Sequence, residues 1–120
     1  MALQQDLMGA GVPWSEAALL GYAPQVVAAA GTTQATAATG VNSKMIEMTA
    51  TGADGILLPN VDQGTPCWVF NSSASTGIVY VPVGHTLNTA AGTTGLSIAT
   101  HKGACFVQYK NKAWYSILTA

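Results

Sequence analysis

The most strand-like stretch of this sequence is Gly77-Ile-Val-Tyr-Val-Pro-Val83, a run of β-branched and aromatic residues interrupted by one proline. Such side chains favour extended backbone because they pack well on a pleated surface. Pro82 has no backbone N–H to donate, so the end of this strand is expected at a sheet edge or a bulge. The stretch predicts a β protein.

Working outward, similar short runs continue from Gly31 to the last residues, separated by Gly, Pro, Asn and Ser at intervals of about 8 to 12 residues. The other predicted strands are 32–39, 44–51, 55–59, 67–71, 86–88, 96–99, 104–110 and 113–118. Asn111-Lys112 predicts a tight hairpin between the last two. We therefore expect an all-β fold, an antiparallel β-sandwich of jelly-roll topology with an N-terminal extended and short-helical arm.

Residues 1–30 do not show this succession of short strand-like runs. We therefore expect an arm over residues 1–30 and a sandwich over residues 31–120. A short helix is predicted over Trp14 to Leu20, with Pro13 ahead of it and Gly21 as the stop, and residues 25–30 are expected to form an extended connector. A helix this short has little stability in isolation. It is expected to pack against another surface, either its own sandwich or a neighbouring subunit. The arm residues expected to contact a partner are Leu3, Leu7, Met8, Trp14, Leu19, Leu20 and Tyr22.

Charged residues are scarce in this chain of 120 residues, which is long enough for one domain. They make up 8%, against about 25% in an average soluble domain. Hydrophobic residues make up 49% and the net charge is −1, a combination that argues against intrinsic disorder. A neutral surface of small polar residues is easily desolvated. We interpret it as a surface that other protein subunits cover.

The same composition argues against other classes of partner. Four lysines and no arginine cannot neutralise enough phosphates for useful affinity, so nucleic acid is not an expected partner. No apolar run approaches the length of a membrane span, and the first residues lack the features of a secretion signal. We expect synthesis and folding in a cytosol, with no membrane partner.

The residues that usually carry catalysis are few and scattered. His85 and His101 are the only histidines, and both are expected to be exposed in loops. A cupin-type metal site needs about three histidines and a carboxylate, which this chain does not supply. Cys67 and Cys105 lie in apolar runs and are expected to be reduced core residues. The sequence therefore predicts no catalytic residues, no bound metal, no cofactor and no enzymatic activity.

Most aromatic residues alternate within the predicted strands, which favours a place in the core. An alternative is a carbohydrate- or receptor-binding module, in which one or two of Tyr80, Trp114 and Tyr115 would form a sugar-stacking platform. That alternative stays open at the level of the sequence.

Several stretches resemble small capsid-associated proteins of tailed bacteriophages. They are Leu7-Met-Gly-Ala-Gly-Val-Pro13, Ala17-Ala-Leu-Leu-Gly21, Gly31-Thr-Thr-Gln-Ala-Thr36, Ile56-Leu-Leu-Pro59, Trp68-Val-Phe-Asn71, Val79-Tyr-Val-Pro82 and Lys102-Gly-Ala-Cys-Phe-Val107. The resemblance implies a capsid cement, or decoration, protein. Such a protein would be made in the bacterial host cytoplasm, form a homotrimer of β-sandwich or jelly-roll subunits, and tie major capsid subunits together on the outer surface of the head. It brings no catalytic residues.

Overall fold

The computed structural model describes residues 24–39 and 43–119, and within these ranges the chain forms β-strands and no helix. The strands are β1 (Gln25–Ala28), β2 (Met45–Thr49), β3 (Gly55–Leu57), β4 (Pro66–Asn71), β5 (Gly77–Tyr80), β6 (Thr86–Leu87), β7 (Ala90–Ala91), β8 (Leu96–Ile98), β9 (Gly103–Lys110) and β10 (Ala113–Leu118). The all-β prediction is confirmed. In the same ranges, no helix long and apolar enough to cross a membrane is present.

The strands form two sheets. One has seven strands in the order β1-β2-β4-β9-β10-β6-β7, and the other has three in the order β3-β5-β8. Four neighbouring pairs run parallel: β1 with β2, β2 with β4, β3 with β5, and β6 with β10. A jelly roll joins antiparallel strands only, so the prediction of an antiparallel sandwich with jelly-roll topology is wrong. Parallel neighbours need crossover connections, which short sequence runs do not reveal.

The parallel part of the molecule winds like a β-solenoid. The chain passes from β1 in the large sheet to a bridge at Ala38 beside the small sheet, then through β2, β3, β4 and β5, changing sheet at each step. Val27, Met48 and Asn71 consequently stand in register in the large sheet. Each turn takes about 20 residues, the lower end of the range for solenoid repeats. This winding is what places β1, β2 and β4 side by side.

Antiparallel strands complete both sheets. β8 pairs with β5, and the hairpin of β9 and β10 adds to β4. The predicted Asn111-Lys112 hairpin is confirmed, with a positive φ of 63° at Lys112. A second hairpin joins β6 to β7 through Asn88 and Thr89, both with positive φ, as two-residue turns require.

One apolar core lies between the two sheets. The large sheet contributes Ile46, Val69, Phe106 and Trp114, and the small sheet contributes side chains such as Ile56, Val79 and Ile98. Trp114 is the largest fully buried side chain of the described residues. Burying an aromatic side chain of this size stabilises a domain by roughly 2 to 3 kcal/mol.

Two predictions fail near the start of the described chain. Residues 32–39 are turns and bends with a single bridge at Ala38, because they carry no large side chain that would anchor a strand. The connector expected over residues 25–30 instead includes β1, which pairs with β2. The arm helix predicted over residues 14–20 lies outside the described residues. The division of the chain at residue 30 stays a prediction.

Candidate interaction surface

Side chains alternate along β4 between the core and the outside of the large sheet. Cys67 and Val69 are buried in the core, whereas Trp68 and Phe70 are 49% and 47% exposed. The alternation was predicted correctly, but the assignment of most aromatic residues to the core is wrong for this pair. Large apolar side chains that remain half exposed on a strand indicate a surface that other protein covers.

Strand pairing extends this surface across the sheet. Met45, Trp68, Cys105 and Ile117 are register partners on four adjacent strands, and all four face away from the core. A second row joins Pro66, Val107 and Tyr115, and a third joins Val26, Glu47 and Phe70. We call this surface the outer face. Its apolar members are Val26, Met45, Trp68, Phe70, Cys105, Val107, Tyr109, Tyr115 and Ile117.

A groove of about 790 Å³ crosses the outer face near Trp68 and Ile117. Its lining is mostly apolar and also includes His101, Lys102 and Thr119. Ile117 is 77% exposed, the highest value among the large apolar side chains of the described residues. The groove therefore combines a mostly apolar lining with a few polar groups, as protein interfaces do.

Few charged groups lie on or beside the outer face. Lys102 lines the groove, and Nζ of Lys110 lies 5.7 Å from the centroid of the Tyr109 ring. Glu47 is the one carboxylate on it among the described residues, and its Oε2 accepts a hydrogen bond of 2.9 Å from Ser72 Oγ. With few charges to desolvate, covering the outer face costs little electrostatic free energy. The low charge of the whole sequence thus extends to the outer face.

The sugar-stacking platform suggested by the sequence is present only in part. Tyr80 and Trp114 are buried, so neither can stack on a ligand at the surface. Tyr115 is 49% exposed and packs against Tyr109, with ring centroids 4.9 Å apart. The expectation is wrong for Tyr80 and Trp114, and the exposed aromatic pair is Tyr109 with Tyr115.

His85 is a structural residue, contrary to the exposed-loop expectation. It is buried, and its Nδ1 accepts a hydrogen bond of 2.9 Å from Trp114 Nε1. Burial, and then the positive charge of Lys112, lower the pKa of the imidazole. The neutral form is therefore the one that the fold keeps, with its proton on Nε2. His101 is exposed, as expected.

A polar pocket of about 210 Å³ lies beside His85. Gln108 forms part of its wall, donating from Nε2 to the carbonyl oxygen of Val61 and accepting at Oε1 from the backbone N–H of Lys112. Both ends of the Gln108 amide therefore hold loops together. Gln108 stabilises the connections at this end of the molecule.

The two cysteines are free and face opposite sides of the large sheet. Cys67 is in the core, as predicted, and burial raises the pKa of its thiol to about 11. Cys105 was also expected in the core, but it is half buried on the outer face, with a pKa raised by burial. Neither thiol is an activated nucleophile at neutral pH.

Metal binding finds no candidate cluster among the residues that the structure describes. Across residues 24–39 and 43–119, no three His, Cys, Asp or Glu side chains lie close enough together to hold a metal ion. The candidate arm residues fall outside this part of the chain: Leu3, Leu7, Met8, Trp14, Leu19, Leu20 and Tyr22. Sequence reasoning missed the outer face, although the alternation in β4 had already separated Trp68 and Phe70 from Cys67 and Val69.

Comparisons with known proteins add no relatives. No protein-family model matches the chain, and the searches of curated proteins and of solved structures found no similar protein.

Proposed function

We propose that this chain is a capsid cement, or decoration, protein of a tailed bacteriophage, which binds the outside of the head and stabilises contacts between major capsid subunits. The observation that carries the proposal is the outer face, a wide apolar sheet surface with a single described carboxylate, Glu47. A protein that reinforces a shell needs such a surface, because its task is to bury area against neighbouring subunits.

The charge balance of the whole chain supports the same function. Many copies must lie close together on a head, and a net charge of −1 keeps repulsion between them small. Under this proposal the protein is made in the host cytoplasm, assembles with copies of itself as a homotrimer, and resides in the virion. It acts without a cofactor, and the apolar arm residues before Pro24 add a second contact with the capsid.

The test is binding to purified heads that lack the protein. Sedimentation of the pure chain with such heads should give saturable binding, and electron microscopy of the decorated heads should show the seven-stranded sheet turned toward the capsid. Absence of binding to heads assembled from the cognate major capsid protein would defeat the proposal. Decoration with the outer face directed to solvent would show that another surface makes the contact.

A second candidate function is a carbohydrate- or receptor-binding module at a fibre tip. The observation in its favour is the exposed ring pair of Tyr109 and Tyr115. Exposed aromatic rings offer both a stacking surface and a hydroxyl group. A glycan array that compares the wild type with Tyr115→Ala separates the two functions, because a cement protein should give no glycan signal that depends on this ring.

A further inference from the structure

The outer face ends beside the point where the described chain begins. Pro24 directly precedes β1, and Gln25, the first residue of β1, pairs with Ile46. By register, Pro24 lies beside Met45, in the row that continues through Trp68. The residues before Pro24 are therefore attached at the margin of the most apolar row of the sheet.

We propose that residues 1–23 of the same chain dock on the outer face in the free protein. This docking takes place before the protein meets a head, so a test of it can fail while the proposed function holds. Three features point to this segment as the occupant: its attachment point, its length, and its side-chain chemistry.

The segment of residues 1–23 is long enough to cross the groove. The groove crosses β2, β4, β9 and β10, a width of about 15 Å at the usual spacing between strands. A segment of 23 residues spans at most about 75 Å when extended and about 35 Å as a helix. Either conformation would cross the groove from Pro24 with residues to spare.

Side-chain chemistry also matches. The segment has few charges, and among its large apolar residues are Leu7, Trp14 and Leu19. Its two side chains charged at neutral pH are the acids Asp6 and Glu16, and the groove lining includes the charged residue Lys102. The match therefore rests on apolar side chains, because an apolar segment meets an apolar groove.

The outer face could be covered by residues 1–23 of the same chain or by those of a second copy, and the covalent link favours the same chain. A short tether holds a segment at an effective concentration on the order of millimolar. At micromolar protein the intramolecular contact therefore outcompetes an equal contact from a neighbour. On a head, where copies and capsid subunits are crowded together, this advantage falls away and both surfaces become available for assembly. Docking in the free protein would keep an apolar face from self-association.

The reactivity of Cys105 measures whether the outer face is covered. This thiol lies on the outer face, while Cys67 is buried in the core and reports on unfolding. The wild-type chain of 120 residues is compared with the triple variant Leu7→Ser, Trp14→Ser and Leu19→Ser, and the measured quantity is the rate at which a thiol reagent labels Cys105. The matched control changes polar residues of the same segment, Gln4→Ser and Gln5→Ser.

We expect slow labelling of Cys105 in the wild type and the control, a rate at least about tenfold higher in the triple variant, and no labelling of Cys67. The protection should not change when the protein is diluted. Equal rates in wild type and triple variant would overturn the proposal. Protection that weakens on dilution would also overturn it, because that result assigns the cover to a second copy.

A second measurement tests the same docking without the triple variant, and so remains informative if that variant unfolds. The variant Trp14→Cys, oxidised at micromolar concentration, should form a disulfide within one chain between the introduced thiol and Cys105, seen by peptide mapping. Disulfides between chains, or none that involves Cys105, would contradict docking in the same chain.

Discussion

The indole Nε1–H of Trp114 donates a hydrogen bond of 2.9 Å to Nδ1 of His85 in the interior, where β10 pairs with β6. Trp114 is fully buried, so its indole N–H depends on an acceptor inside the fold. The bond ties the last strand of the chain to the loop that leads into β6. It also requires His85 to keep Nδ1 unprotonated.

Acid should therefore weaken the fold through His85. Because burial lowers the pKa of this imidazole in the folded state, its stabilising contribution is complete above the ordinary pKa of about 6.5. The contribution is lost as the pH falls below that value, because the unfolded chain binds the proton more readily. Urea unfolding of the wild type should give a lower free energy of unfolding at pH about 5 than at about 7.5.

Substitution isolates this effect. His85→Ala leaves the Trp114 donor without its acceptor and should cost about 1 to 3 kcal/mol at neutral pH, while flattening the dependence on pH. His101→Asn is the matched control, because His101 is exposed with a positive φ of 58° that asparagine tolerates. An unchanged pH profile in His85→Ala would show that other groups cause the acid sensitivity.

Asn71 should be the most sensitive polar residue of the described core. Its Nδ2 donates to the carbonyl oxygens of Ser75 and Ile98 at 2.8 and 2.9 Å, and its Oδ1 accepts from the backbone N–H of Ser73 at 3.0 Å. Asn71→Ala removes these bonds inside the fold and leaves buried groups unpaired, which should lower the free energy of unfolding by about 2 to 4 kcal/mol. Asn60→Ala, at an exposed site, should change it by less than about 0.5 kcal/mol.

Two glycines provide a matched pair of packing tests. A Cβ at Gly92 would press against the backbone oxygen of His85 and lie 2.8 Å from Cγ2 of Val81, whereas a Cβ at Gly52 would meet nothing within 4 Å. Gly92→Ala should destabilise the protein by about 1 to 3 kcal/mol in thermal or urea unfolding. Gly52→Ala should be close to neutral. Equal changes in stability for the two variants would show that the residues around Gly92 move to accommodate the added methyl group without cost.

Much of the local structure could be predicted from the sequence. The runs around Trp68, Val79 and Val107 alternate or are rich in β-branched residues, and each became a strand. The first and the last match their expected bounds within one residue, whereas the strand around Val79 ends at Tyr80 instead of Val83. Local pattern is sufficient here because side chains on successive residues of a strand face opposite sides. The hairpin at Asn111-Lys112 was likewise visible, because its turn chemistry is local.

Pairing and exposure could not be predicted in the same way. The parallel register of Val27 with Met48 and of Met48 with Asn71 depends on contacts between residues far apart in sequence. The alternation in β4 separates Trp68 from Val69 but does not state which faces the core, because both sides are apolar. His85 lies in a loop as expected, but its burial could not be predicted because its partner, Trp114, is distant in the sequence.

The most direct test of the central claim measures head binding by two variants with equivalent exposed changes. Ile117→Ser alters the outer face, and Val83→Ser alters a similarly exposed residue in the loop between β5 and β6. We predict that Ile117→Ser weakens binding to heads about tenfold or more, that Val83→Ser binds like the wild type, and that both keep wild-type thermal stability. Equal binding by the two variants would contradict the assignment of the outer face as the surface that other subunits cover.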